Sequence, residues 1–371
     1  MNDFQSKLYR DLIKLCDTNE AFFHKDHIKD NRTYRIFNYR LASYGDFCSP
    51  NALECRGHMF EVIDDIPVRL ASLPMEKFFN LYENPFTENV DLTKAIKVMA
   101  KEDGSLISTF IHNGNLSLKS KASLESDQAV DALRWLENNQ PSLYDELLDL
   151  TLFGYTVNME WTSPNNRIVL GYQEDKLIIL NIRNTFTGEY VNPSKFHLYN
   201  EIHKCWVENV EDLKAGEIDL FVSNIPSMED VEGFVVELST GQKIKIKTEW
   251  YLVRHRAKDS VNAPRRLFEA IISEAIDDVR TLFHGDPVAL QTISEMEARV
   301  EPIFNHMIET VERFYEENKG LIRKDYAIKA QGLNDGLMPL YMNLYIGREN
   351  DYKEFAIKNY KMFIGEVNDS E

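Results

Sequence analysis

VMAKEDGSLISTFIHNGNLSLKSKA, residues 98–122, is the stretch from which the fold can be read. A β-rich run ends at Lys101, Asp103-Gly104 marks a tight turn, and a second β-rich run follows to His112. Asn113-Gly114 supplies the positive-φ pair of a hairpin, so the chain returns as a third strand. Alternation across that strand puts Leu116 and Leu118 on one face and Lys119 and Lys121 on the other.

Lys101 stands at the mouth of the turn in the pattern K-x-D-G. Lysine is a poor nucleophile at its ordinary pKa of about 10.4, and attack on phosphorus needs desolvation or neighbouring cations that favour the neutral amine. The pattern alone is weak, because a solvated lysine in a β-turn is far commoner.

Upstream of this stretch, Phe4, Leu8, Leu12 and Leu15 recur at helical spacing, and strand-and-turn texture begins near residue 32. Downstream, a helix is expected from about 126 to 152. Strands then resume in YTVNMEW, NRIVLGY and KLIILNIR, and EGFVVEL pairs with KIKIKTEW around residues 239–242. From residue 254 the periodicity is helical to the end, so two domains are expected, 1–253 and 254–371.

Composition sets limits. With 43% apolar and 27% charged residues in 371, the chain is a folded globular protein. No apolar run is long enough to span a membrane and no export signal is visible, and four scattered cysteines without a C-x-x-C pair suit a reducing cytoplasm. A net charge of −18 opposes nucleic-acid binding by bulk charge, so any such contact must come from a local basic groove. There is no P-loop signature and no histidine pattern for a metal.

Several residues could serve phosphate chemistry. In K-I-K the two-residue period sends Lys245 and Lys247 to one face, with Lys243 behind them, where they could grip a phosphate and lower the pKa of Lys101. A wet face on an edge strand is the ordinary explanation for such alternation. Glu160 in an apolar strand needs a partner if buried, and Glu232 precedes a glycine that lets a ligand approach the backbone. The Arg56 fork suits phosphate oxygens, and Phe79 is either a wall of a nucleotide site or core.

Taken in order, RTYRIF, ALECRG, PMEKFFNL, KEDGSL, NRIVL and KIK with its nearby WY resemble the RNA ligase 1 family of T-even bacteriophages, within the covalent nucleotidyltransferases. The resemblance covers nearly the full length. It implies an α+β nucleotidyltransferase domain of ATP-grasp-like antiparallel sheets flanked by helices, followed by an all-helical domain that helps select tRNA. It also implies ATP as substrate with Mg²⁺, or Mn²⁺ in its place, and Lys101 as the residue that carries AMP. Arg56, Lys77, Phe79, Asp103, Gly104, Lys121, Glu160, Glu232, Lys245 and Lys247 would form the nucleotide site. Glu160 (through water), Asp277 and Asp278 would approach the metal. The implied substrate is RNA, above all tRNA broken in its anticodon loop, in the cytoplasm of an infected bacterium beside an end-healing polynucleotide kinase/phosphatase. A DNA ligase or capping guanylyltransferase is the rival among enzymes, although the helical texture after 253 argues against the OB-fold they usually append. An inactive RNA-binding relative is the rival outside them.

Overall fold

The computed structural model describes residues 1–210, 217–276, 279–280, 283 and 286–365. These form two compact units, Met1–Leu252 and Val253–Glu371.

Among the described residues, three four-stranded sheets build the first unit. The first runs in chain order through β1 (Phe22–Lys29), β2 (Arg32–Tyr39), β3 (His58–Ile63) and β4 (Ile66–Ser72), all antiparallel. The second has the order β10 (Lys176–Asn184), β9 (Tyr155–Thr162), β7 (Ser105–His112) and β8 (Asn115–Lys119), again antiparallel. The third has the order β5 (Phe79–Asn80), β12 (Lys243–Lys247), β11 (Gly233–Leu238) and β6 (Ala95–Lys101), with only β5 parallel to its neighbour.

The opening stretch is therefore not a simple meander. β6 and β7 flank the KEDG turn yet belong to different sheets, whereas β7 and β8 pair across Asn113-Gly114 as expected. Lys101 ends a strand of one sheet, and the turn delivers the chain into another.

Each sheet buries an apolar face. Helix Asp3–Thr18 lays Leu8, Tyr9, Leu12 and Leu15 against Phe22, Phe37 and Phe60 of the first sheet. Helices Asp127–Asn139 and Pro141–Leu152 cover the second with Ala132, Leu136, Leu143 and Leu147, which pack on Ile107, Val157 and Met159. Burial of each such leucine contributes about 1.5–3 kcal/mol. Ile218, Val222 and Ile225 pack on Val98, Val236, Ile244 and Ile246 of the third.

Three expectations change. The single helix over 126–152 is two, because Pro141 lacks the N–H that would continue the first and instead opens the second. Strand structure begins at Phe22, ten residues before Arg32. NRIVLGY is no strand: after a 3₁₀ turn at Pro164–Asn166 the Val169 and Leu170 N–H groups donate to Asp103 Oδ2, each at 2.7 Å, and so are not used in a ladder.

The second unit is helical. Helices Pro264–Ile272, Pro287–Asn318, Arg323–Gln331, Met338–Tyr345, Tyr352–Lys358 and Lys361–Ile364 share one apolar core that includes Phe268, Ile293, Val311, Tyr326, Tyr341 and Phe363. No helix among the described residues is long and apolar enough to cross a membrane.

Candidate active site

The site forms where the second and third sheets meet at the KEDG turn. Lys101 pairs in register with Gly233 on β11, and Gly233 pairs with Lys247 on β12, so Lys101 and Lys247 flank one glycine. A Cβ on Gly233 would lie 2.1 Å from the Ile246 carbonyl oxygen, and its φ is +147°, so only glycine fits. Glu232 then turns inward beneath the two lysines. Lys101 Nζ donates to Glu232 Oε2 at 2.7 Å and Lys247 Nζ to Oε1 at 2.9 Å. At 2% exposure Glu232 is not an ordinary turn carboxylate.

β12 settles the alternating lysines. It is an interior strand between β5 and β11, with Ile244 and Ile246 buried, so its lysine face is not the wet face of an edge. Burial and the nearby Lys77, Lys101 and Arg56 push Lys245 down to about 7. Each lysine of that face lies over an aromatic ring: Lys243 over Tyr190 at 3.5 Å, Lys245 over Phe78 at 5.3 Å and Lys247 over Tyr251 at 4.7 Å.

From the second sheet comes Glu160, on β9 opposite Leu106. Its Oε1 accepts the Gly104 N–H at 3.1 Å. Although its rim meets solvent, burial pushes the carboxyl up to about 7, against the pull of Lys101 and Arg56 and with the help of Glu232. A Cβ on Gly104 would lie 2.3 Å from the Trp161 carbonyl oxygen, so glycine is what lets the turn press against β9.

The remaining cations arrive from the first sheet side. Gly57, at φ +89°, packs so closely that a Cβ would sit 2.6 Å from the Lys121 carbonyl oxygen, which brings the ECRG and KSK segments together. Lys77 and Lys121 lie over the same Tyr39 ring at 5.8 and 5.2 Å. Arg56 acts electrostatically on Glu160, Lys245 and Lys119. Arg56, Lys77, Lys101, Lys121, Glu160, Glu232, Lys245 and Lys247 thus belong to one constellation.

Two further residues of the expected set are packed into the framework around these cations. Phe79 is 5% exposed, with its ring stacked on Phe86 at 5.5 Å and edge-on to Phe47 at 5.4 Å, yet Lys77 Nζ lies over that ring at 4.9 Å and Phe79 lines a cavity with Lys77, Phe78 and Lys243, so it is both packed and a wall beside the cations. Asp103 is hydrogen-bonded within the turn. Its Oδ2 takes the Val169 and Leu170 N–H groups, its Oδ1 accepts the Tyr251 hydroxyl at 2.7 Å, and its own N–H donates to the Tyr172 hydroxyl at 2.9 Å. Asp103 and Gly104 therefore hold the turn that presents Lys101. Asp277 and Asp278 lie outside the described residues.

Other participants had weaker sequence signals. Lys119 is fully buried, donates to the Gly57 carbonyl at 2.8 Å, and is pushed down to about 7 by burial and Arg56. Its signal was the K-S-K spacing, the same as in K-I-K. Glu54 accepts both Arg183 nitrogens at 2.8 and 2.9 Å and lies 2.8 Å from His58 Nε2, which fixes the loop that carries Arg56. Nothing in the sequence joined residue 54 to residue 183.

The donor set suits phosphate oxygens. Cations outnumber carboxylates, and no group of three or more His, Cys, Asp or Glu side chains that could hold a metal occurs among the described residues.

Two family models match the chain, one described as RNA ligase over residues 54–251 and one as T4 RNA ligase 1, C-terminal domain over residues 258–367. A putative RNA ligase of Thermovibrio ammonificans is 26% identical over 68% of this chain and 66% of its own length, so the chain spans just under two thirds of that relative. RNA ligase 1 of bacteriophage TS2126 is 24% identical over 89% of this chain and 83% of the relative. Among solved structures, a putative ATP-dependent DNA ligase from Aquifex aeolicus aligns at a TM-score of 0.45 with 13% identity, covering 84% of this chain and 81% of the other.

Proposed function

The chain belongs to the RNA ligase family, and from that premise we propose that it joins RNA 5'-phosphate and 3'-hydroxyl ends at the expense of ATP, through AMP carried on Lys101. The observation that supports this most is Glu232, a buried carboxylate shared between Lys101 and Lys247 at the crossing of two sheets.

A charged lysine cannot attack, and Glu232 Oε2 at 2.7 Å is placed to accept the proton that Lys101 must lose. The Nζ lone pair then forms a bond to the α-phosphorus of ATP as the bond to the pyrophosphate oxygen breaks. Lys245, Lys247 and Arg56 offset the charge that grows on the phosphate oxygens. In the second step an oxygen of the RNA 5'-phosphate attacks the same phosphorus, the N–P bond breaks, and Lys101 regains its proton. In the third the RNA 3'-hydroxyl attacks the activated 5'-phosphorus, loses its proton, and AMP leaves.

The cationic lining fits a divalent ion that enters already bound to the ATP phosphates better than one held by protein alone, with Glu160 as the carboxylate for a hydrated contact. Mg²⁺ or Mn²⁺ there would neutralise phosphate charge.

We assign nucleotidyl transfer to residues 1–253 and selection of a broken tRNA anticodon loop to 254–371, which the match of 258–367 to the T4 RNA ligase 1 C-terminal domain supports. The chemistry requires a 5'-phosphate and a 3'-hydroxyl, so an end-healing kinase/phosphatase must act first where a nuclease leaves other ends. Sealing assays decide the reading. With ATP, 5'-phosphorylated single-stranded RNA should be joined and the matching DNA poorly, with GTP inert in its place; DNA sealed as fast as RNA, or nucleotide transfer from GTP, would overturn it.

A further inference from the structure

Tyr82 is an aromatic residue in a conformation that aromatic residues avoid. Its φ is +62°, in the left-handed region, and the residue is 70% exposed. The surrounding loop holds it there. Leu81 N–H donates to the Lys245 carbonyl at 2.8 Å, Tyr82 N–H to the Thr87 carbonyl at 3.2 Å, Thr87 Oγ1 to the Asn80 carbonyl at 2.7 Å, and Asn80 N–H to Glu83 Oε2 at 2.7 Å. A strained backbone fixed by four hydrogen bonds to present an exposed ring points to a function for that ring.

Its surroundings indicate which. Tyr82 lines a groove of about 700 Å³ whose other walls include Leu92, Val222 and Pro226 and which also reaches Lys245 and Lys247. Asn80 pairs in register with Lys245, so the loop is hydrogen-bonded to the strand that carries the phosphate-binding lysines. The groove thus joins an apolar, aromatic end to a cationic one; the Glu83 carboxylate also lines it, held by the Asn80 N–H. A nucleotide of single-stranded nucleic acid has the matching halves, a base with a π face and a phosphate.

We propose that Tyr82 is a stacking platform for a base at the end of a single-stranded RNA substrate whose phosphate lies on Lys245 and Lys247. The proposal rests on the ligase reading for the identity of the nucleic acid. It makes Tyr82 a substrate-binding residue of the sealing steps and leaves it without a part in the attack of Lys101 on ATP.

Asparagine tolerates the left-handed region, so Tyr82→Asn removes the ring while suiting the backbone, and Tyr82→Trp keeps a stacking surface. In the full-length protein, fluorescence anisotropy with a 5'-phosphorylated single-stranded RNA of about ten nucleotides should show Tyr82→Asn binding about 10-fold more weakly than wild type and Tyr82→Trp within about 2-fold of it. Label transferred from ATP to protein should be equal in all three. Binding of Tyr82→Asn within about 2-fold of wild type would overturn the proposal. So would parallel loss of RNA binding and ATP labelling, which would place the ring on ATP. If wild type takes no label while RNA binding still depends on the ring, the adenylation reading fails and the stacking platform stands.

Discussion

The two units bury opposite kinds of side chain. Residues 1–252 hide Arg35, Glu61, Lys119, Arg183 and Glu232 beneath the surface, while in 253–371 the buried polar groups among the described residues are Asp286 and Asn318 against twenty buried apolar ones. Burying charge costs stability unless every charge is paired, and burying apolar surface is favourable by itself. The difference supports placing the proposed chemistry in the first unit. Around Lys101 the sheets spend part of their stability holding like charges together, and the helical unit shows nothing of the kind among its described residues.

Four changes would break or sharpen that contrast. The largest effect should come from Glu232→Gln, which leaves Lys101 and Lys247 without their shared carboxylate. Transfer of AMP to the protein should fall about 100-fold in single-turnover assays, and an unchanged rate would reduce Glu232 to scaffolding. Ile293→Ala, in the centre of the helical core at 0% exposure, should lower that unit's unfolding free energy by about 3 kcal/mol in chemical denaturation while AMP transfer under native conditions stays within about 2-fold. Loss of transfer there would erase the distinction between the units.

Asp103→Asn is next. It weakens an acceptor that ties two backbone N–H groups and the Tyr251 hydroxyl, so unfolding should cost about 2 kcal/mol less and AMP transfer should slow without a large change in ATP affinity. A change in ATP affinity alone would return Asp103 to the ligand. Glu160→Gln should give the smallest effect and one that depends on pH. The folded carboxyl sits at about 7, above its ordinary value, so it costs stability once pH exceeds the unfolded value and costs most above the folded one. The variant should therefore melt higher than wild type at a pH of about 8 and nearly equal at about 4; an equal difference at both would deny that Glu160 is held out of its usual range.

What the sequence disclosed follows the same contrast. Alternation in KIKIK placed a strand and the face of its lysines correctly, because period-two burial is a local property, and the hairpin over 105–119 formed as expected although its strands are buried on both faces. The turn at Asp103-Gly104 was visible, but not that it passes between sheets, since a turn signal does not state which strands pair. NRIVLGY looked like a strand because its side chains are apolar, yet its backbone donors are taken by a carboxylate 66 residues upstream. Phe78 and Phe79 look alike along the chain, and only packing puts Phe79 on Phe86 beneath Lys77 and Phe78 beneath Lys245. Lys119 shows the limit most clearly, for a lysine buried completely against Gly57 reads along the chain as one more polar residue on an alternating strand.

Incubation with ATP labelled at the α-phosphate, followed by acid denaturation, tests the central claim most directly. Wild type should carry acid-stable label at Lys101 that is released as AMP when 5'-phosphorylated RNA is sealed, and Lys101→Ala should carry none. Equal labelling of Lys101→Ala, or no label on wild type, would contradict the account.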